Sequence, residues 1–469
     1  MAAAKDAPVA VTTRKKVLKV LFISLLLDLI SFTFILPLFP QLLAFYRSRE
    51  LQSPDTLLAK IFSGLNAYKN AFAKPINDRY DIVLLGGALG SLFSLCQAIA
   101  SPIIGTLSDK YGRRKALLWS MMGNILSVAL WVLAADFRTF LASRVVGGLS
   151  EGNVQLATAI ATDISTDEQR GATMALVGAC FSIAFTFGPA LGAALANITT
   201  VVSNPFATAA GFSLFLIVTE TLYLWVSLPE TLPSVASVTE NGHGKENGHA
   251  NGNGVSGSAK ELQSKASRSN LKAKVAVRRR TNSHALLNLV HFSFILFFSG
   301  MEFSLPFMTY DLFRYTSSQS GRLLGYIGLV ASIMQGGVVR RVHPLRVVQI
   351  GVLACVGAFV LLGRLRSQAG LYAAATLLAV TSGSVVTGLN SLSSFEASAQ
   401  QRGSKLGNHR SFGQIGRALG PILFCTLYWW AGREFAYAIG SAGMLAVCGL
   451  VFGGLRIPPG TELSKKAKS

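Results

Sequence analysis

Seven ionisable residues fall inside long apolar runs: Asp28, Arg144, Glu151, Glu220, His291, Glu302 and Arg417. Charged groups at hydrocarbon depth are costly and normally face a cavity, a partner or a ligand. Carboxyls in such a place can exchange protons, and a guanidinium can hold an anion through paired N–H donors. The competing reading is a buried pair that fixes helix register and never titrates, and for Asp28 and Arg144 both readings stand. Glu302 lies in Phe298-Ser-Gly-Met-Glu302-Phe-Ser-Leu-Pro306. A helix weakened by Gly300 and Pro306 is expected to bend as a cavity opens, which favours a working role for Glu302. Arg144 and Glu151 share one face of a regular helix, about 10 Å apart along its axis, so each needs a further partner. Arg417 is expected roughly 13 Å from the inner membrane face. Arg410, two turns earlier, either extends a track for anions or snorkels to the interface. Glu220 and His291 are equally well explained by a headgroup or a hydrogen-bonded neighbour.

A second chemistry is conformational. Gly105-Thr-Leu-Ser-Asp109-Lys-Tyr-Gly112-Arg113-Arg114-Lys115 separates two apolar runs of spanning length. A tight turn with one acid and four bases belongs at a membrane face, and the Lys and Arg excess makes that face cytoplasmic. Asp109 there reads as a latch that accepts bonds from a helix N-terminus and pairs with arginine; Asp163 is a candidate second member. Gly188-Pro189, with Gly178 and Gly192, makes another span thin and bendable.

The elements that position these residues are transmembrane helices. Hydrophobic residues make up 51% of the 469-residue chain and charged residues 14%, against about a quarter charged in soluble domains; mean hydropathy is +0.46. Runs of spanning length recur near 17–40, 82–104, 116–135, 139–161, 172–195, 206–228, 284–310, 322–339, 347–363, 371–394, 408–431 and 434–455. The expected fold is an all-α membrane protein of twelve transmembrane helices in two pseudo-symmetric six-helix bundles. The net charge of +21 concentrates in the segments assigned to the inside. It therefore orients the chain, with both termini cytoplasmic, and meets anionic lipid rather than nucleic acid. Cys96, Cys180, Cys355, Cys425 and Cys448 all fall in spans without metal-ligand spacing, so no metal or other cofactor is expected.

The chain divides into a cytoplasmic tail (1–16), a first bundle (17–231), a basic linker (232–283), a second bundle (284–456) and a tail (457–469). The linker contains Glu240-Asn-Gly-His-Gly-Lys-Glu-Asn-Gly-His-Ala-Asn-Gly-Asn-Gly254 and ends near Arg278-Arg279-Arg280. It has no apolar periodicity and reads as disordered. The two halves repeat: Arg170-Gly171 with Gly188-Pro189 recurs as Arg402-Gly403 with Gly420-Pro421, 232 residues on. At that offset Asp109 falls on Arg341, so the second copy of the basic turn is degenerate. A substrate site between two such bundles lies near the midplane. The loop 41–80 is expected to hold an amphipathic helix after Ser53-Pro54, with Leu57, Leu58, Ile61, Phe62, Leu65 and Phe72 on one face, lying as a collar on the outer surface. Asn197-Ile-Thr199 is a glycosylation triplet on the outer side.

The basic turn, Arg144 with Gly147-Gly148, Gly178…Gly188-Pro189…Gly192 and the exit Leu228-Pro-Glu-Thr-Leu-Pro233 together resemble the drug:proton antiporter branch of the major facilitator superfamily. Within it, Leu25-Leu-Leu-Asp28-Leu, Phe298-Ser-Gly-Met-Glu302 and Arg410-Ser411…Arg417…Gly420-Pro421 are similar to a tetracycline-transporter-like group. The resemblance implies that spans one, four, seven and ten line a central cavity. It also implies movement of amphipathic organic ions or drugs, organic anions in that group, often coupled to protons.

Together these readings predict a multi-pass secondary transporter, not an enzyme, that works by alternating access on small organic anions, with proton antiport as the coupling. Asp28, Arg144, Glu151, Glu302 and Arg417 are the candidate substrate and proton residues. Gly105, Asp109, Gly112, Arg113, Arg114, Asp163, Gly188 and Pro189 are the candidate gate. Its partners are the small-molecule ion, protons and membrane lipid, with a monomer as the working unit. The alternatives are an uncoupled facilitator, an organic-cation transporter, and a non-transporting receptor or scaffold built on the linker. Spans with four acids against two arginines leave the substrate's charge open.

Overall fold

The structure is a computed structural model that describes residues 11–33, 35–71, 79–196, 204–232, 281–315 and 317–458. The linker core, Phe72 and the Asn197 triplet lie outside these residues. Fifteen α-helices run in order: α1 (Val11–Thr33), α2 (Ile35–Glu50), α3 (Leu57–Asn70), α4 (Arg79–Tyr111), α5 (Arg113–Val132), α6 (Phe137–Ser150), α7 (Asn153–Asp163), α8 (Asp167–Ala196), α9 (Ala207–Ser227), α10 (His284–Phe313), α11 (Ser317–Gly337), α12 (Pro344–Gly363), α13 (Gln368–Glu396), α14 (Arg402–Ala431) and α15 (Arg433–Gly454). Two 3-10 turns, Val339–Arg341 and Ala399–Gln401, join neighbouring helices, and no strand occurs among the described residues.

Nine helices are long and apolar enough to cross a membrane among the described residues. The other predicted spans are covered by α1 with α2, by α6 with α7, and by α14. The α6–α7 span is divided at Glu151, and α14 is diluted by His409, Gln414 and Arg417. Helix starts follow local capping chemistry. Asp136 accepts from Thr139 N at 2.7 Å before α6, and Ser283 accepts from Leu286 N before α10. Carboxylates also tie distant segments together: Glu50 accepts Phe137 N at 2.7 Å, and Glu396 accepts Thr281 N and Asn282 N.

Two aromatic-rich cores form, one from each half. Tyr46, Trp131, Phe137 and Phe140 pack in the first, and Phe359, Phe424, Tyr437 and Met444 in the second. Meanwhile Trp119 and Val226 are each 78% exposed and Ile333 is 65% exposed. Large apolar side chains bared on the outer wall suit hydrocarbon rather than water. The halves meet chiefly along α4 with α14 and along α8 with α11 and α13.

Two sequence expectations are corrected. The fourth span is not one regular helix: α6 ends at Ser150 and Glu151 is non-helical, with φ −70° and ψ 84°. Ser120 of α5 compensates, accepting Gly152 N at 2.9 Å and bonding the Ser150 carbonyl. The basic turn is mostly not a turn, because α4 stays helical through Tyr111. Reversal is confined to Gly112, whose φ of 104° disfavours any side chain. Helix α10 runs through Gly300 and Pro306 as one helix in this structure. Gly300 serves close packing, since a Cβ there would meet Phe424 and the Gly420 carbonyl.

Candidate functional site

Helices α1, α4, α5, α6 and α9 and the Glu151 break surround a small, partly open cavity, lined by Asp28, Ser31, Asn124, Trp131, Arg144 and Glu151 among others. Asp28 is 4% exposed and lies beside Asn153, the first residue of α7. The break therefore presents a helix N-terminus near a buried carboxyl, a favourable placement for negative charge. Glu151 has Asn124 alongside it. Because Glu151 leaves the helix, the regular-helix separation from Arg144 no longer applies, and the two interact electrostatically. The Arg144 guanidinium stacks over Phe140 at 5.5 Å and Trp131 at 5.8 Å, and its Nε donates to Ser143 Oγ at 3.3 Å. Ring faces hold a cation while leaving its N–H edge available to an anion.

Arg410 of α14 reaches this group from the opposite bundle and interacts with both Glu151 and Asp28. It is therefore an inter-bundle residue and not a snorkelling helix end. Its membership was the main site feature the sequence reading underweighted; a seven-residue spacing from Arg417 puts the two on one face of α14. Arg417 Nη1 lies 3.6 Å from Glu302 Oε2, with side chains 45% and 48% exposed. Both residues lie well inside their helices, α10 and α14, where the cost of a charge at hydrocarbon depth favours such pairing. Phe303, next to Glu302, packs against Gly87 of α4, placing this side of α10 at the bundle interface.

Most of the residues expected to form a gate converge at one end of that interface. Asp109 accepts Gly403 N at 2.8 Å and Ser404 N at 2.7 Å, at the start of α14. Arg113 Nη1 bonds Asp109 at 2.7 Å and its Nε bonds Asp163 at 2.9 Å. Arg402 Nη1 completes the set on Asp163 at 2.6 Å. A Cβ on Gly105 would lie 2.2 Å from the Gly403 carbonyl oxygen, so only glycine lets α4 and α14 approach this closely. Arg113 N and Arg114 N donate to the Glu230 carboxylate. Glu230, in the Leu-Pro-Glu-Thr-Leu-Pro exit, thus caps α5, a role its motif did not reveal. Arg402 was likewise missed, although Arg170, its counterpart in the repeat, pointed to it. Gly188 and Pro189 lie apart from this cluster, within α8, where Gly188 abuts Thr33 of α1.

At the opposite end, Leu84, Phe307, Cys425 and Trp429 form an apolar cluster between the bundles. Tyr68 of α3 bonds Thr426 of α14 and packs edge-on to Trp429. The loop helix thus reaches across to the second bundle as well as lying against the first.

The Major Facilitator Superfamily model matches residues 21–421. The mouse protein named major facilitator superfamily domain-containing protein 10 is 35% identical over 441 residues, covering 92% of this chain and 91% of its own. The class G tetracycline resistance protein of Vibrio anguillarum is 26% identical over 348 residues, 73% of this chain and 80% of its own. The crystal structure of the human organic anion transporter MFSD10 (TETRAN) superposes with a TM-score of 0.78 at 32% identity, covering 93% of this chain and 99% of that one.

Proposed function

We propose, from the premise that this chain belongs to the Major Facilitator Superfamily, that it moves small amphipathic organic anions by alternating access with proton antiport. The observation that carries this reading is the half-exposed Arg417–Glu302 pair. One guanidinium has two possible anionic partners, its own carboxylate and that of a substrate. A substrate that takes Arg417 releases Glu302 into a water-filled cavity, where the carboxylate stays hydrated. The human relative's description as an organic anion transporter agrees with that use of Arg417.

The proton of the return step is assigned to Asp28 and Glu151. Both face Arg410 of the other bundle, so separation of the bundles changes the charge around them and with it their hold on a proton. Asp109, Asp163, Arg113 and Arg402 are assigned to closing the cytoplasmic side in alternation with the outer apolar cluster.

The test is uptake of a labelled amphipathic sulfonate, whose charge ordinary pH does not remove, into proteoliposomes with an imposed pH gradient. Antiport gives accumulation in an acidic lumen, and a trapped pH dye reads proton exit as the anion enters. Loss of that drive in Asp28→Asn places the proton in the first bundle; loss in Glu302→Gln instead moves it to the pair. Accumulation driven by an acidic exterior would reverse the coupling to symport. Uptake indifferent to pH in the wild type would make the protein an uncoupled facilitator.

A further inference from the structure

Glu220 of α9 is 1% exposed and does not line the cavity. Ser24 Oγ of α1 lies 2.6 Å from its Oε1, and its Oε2 is buried without a hydrogen-bond partner. Further along the same antiparallel helix pair, Ser31 bonds Ser213. Ser24, Asp28 and Ser31 succeed one another at turn spacing on α1, so Asp28 sits on the seam between the Glu220 and Ser213 contacts. The seam runs from Glu220 to the cavity: Asp28, Ser31 and Ser213 line the cavity, and Glu220 does not.

The charged surroundings of Glu220 are acidic. Asp28 faces it from α1 and Glu151 from the α6–α7 break. On α8, Cys180 turns its thiol to the Phe22 carbonyl. On α5, Arg114 is bound to the Trp225 carbonyl, more than a turn nearer the cytoplasm. Among the group as a whole, three carboxyls, Asp28, Glu151 and Glu220, meet two guanidiniums, Arg144 and Arg410. Arg410 belongs to the opposite bundle and serves Glu151 and Asp28. A buried carboxylate with no cation of its own is strongly disfavoured, whereas a neutral carboxylic acid can share the Ser24 contact.

We propose that Glu220 is a proton store of the first bundle, holding a proton in the closed-inside state and exchanging it with Asp28 during transport. In the exchange one O–H bond breaks on Glu220 and one forms on Asp28, while the negative charge moves the opposite way. The rotatable side chain of Glu220 covers the turn between Ser24 and Asp28. The cavity-facing Asp28 then meets water and substrate, and Glu220 keeps the proton out of their reach. This rests on the proton-coupled reading above and adds a carboxyl to it.

The experiment combines infrared spectroscopy of the purified full-length protein with transport. At neutral pH the wild type is expected to show a carboxylic-acid C=O band that disappears in Glu220→Gln and persists in Glu302→Gln. Glu220→Gln is expected to keep sulfonate counterflow within about twofold of wild type while losing accumulation driven by the pH gradient. A band unchanged in Glu220→Gln, or gradient-driven accumulation equal to wild type, overturns the inference. If Glu220→Gln does not fold, Ser24→Ala removes only the hydrogen bond. The band should then move to higher frequency, and an unmoved band rejects the assignment. The spectrum reads Glu220 without transport, so a wild type indifferent to pH sinks the proposed function, while a Glu220-independent band sinks this inference alone.

Discussion

Arg402 crosses from the second bundle to bind Asp163 of the first, Nη1 to Oδ1 at 2.6 Å. Its counterpart in the repeat, Arg170, crosses the other way to the Ser394 carbonyl at 3.3 Å and over the Phe395 ring at 5.0 Å. Phe395 occupies the position that the 232-residue repeat pairs with Asp163. Across the bundles one of these two contacts is therefore ionic and the other is a carbonyl and a ring, with Arg170 also paired to Asp167 within its own bundle. Spacing follows suit: Gly105 is pressed against Gly403, while a Cβ on Gly337, its counterpart, would meet nothing within 4 Å.

Asp163→Asn strips the shared carboxylate from Arg113 and Arg402. Breaking a buried charge pair from one side costs roughly 3–5 kcal/mol, enough to shift the gate strongly toward opening. Ser101, fully buried where Gly407 of α14 packs on it, supplies a reporter. In a background without the native cysteines, Ser101→Cys should be alkylated from the cytoplasmic side at least about tenfold faster when Asp163→Asn is added. An unchanged rate would remove Asp163 from the gate.

Phe395→Asp adds an acid from the second bundle opposite Arg170, which already pairs with Asp167 of its own bundle at 3.0 Å. It should tighten the weaker half of the gate, slow opening to the cytoplasm and lower turnover severalfold, with the same cysteine now labelled more slowly. Faster labelling would mean that the ring itself holds that half shut.

Much of this arrangement was legible because its residues announce themselves by type. An aspartate beside arginines at a membrane face has few uses, and the Asp109 latch on α14 followed from that alone. Arg417 and Glu302 stood out as charges in apolar runs, although nothing local said they would meet each other. What stayed hidden was tertiary. The break at Glu151 depends on Ser120 of α5 satisfying freed backbone groups, and Gly152 in an apolar run looks like any packing glycine. Arg410 lies close enough to the inner end to pass for an interfacial residue until α4 and α14 are seen to close over it. Glu230 caps a helix that starts far away in the chain, and Glu396 binds the segment that leads into another, so no local spacing reports them.

Arg144 separates a structural from a binding role by its replacement series. Its guanidinium rests on Trp131 and Phe140. Arg144→Lys keeps the charge but loses the planar fork and much of the stacking. If Arg144 holds substrate anion, the lysine variant should weaken half-saturation about tenfold and Arg144→Ala should abolish measurable uptake, both with the protein still folded by thermal unfolding. Alanine transporting as strongly as wild type would end the anion role.

The Arg417–Glu302 pair gives opposite signs for its two members. Because both side chains are nearly half exposed, the pair contributes on the order of 0–1 kcal/mol to stability, and neither single variant should move Tm by more than about 2 °C. Binding is different. Arg417→Ala deletes a charge-assisted contact worth about 1.5–3 kcal/mol, so sulfonate affinity measured by calorimetry should fall roughly ten- to a hundredfold. Glu302→Gln removes the competitor for that guanidinium and should raise affinity severalfold at the same pH. In the double variant the gain from Glu302→Gln should vanish, since there is no longer a cation to liberate. A gain that survives without Arg417 would show that Glu302 repels the anion at long range instead of competing for its partner.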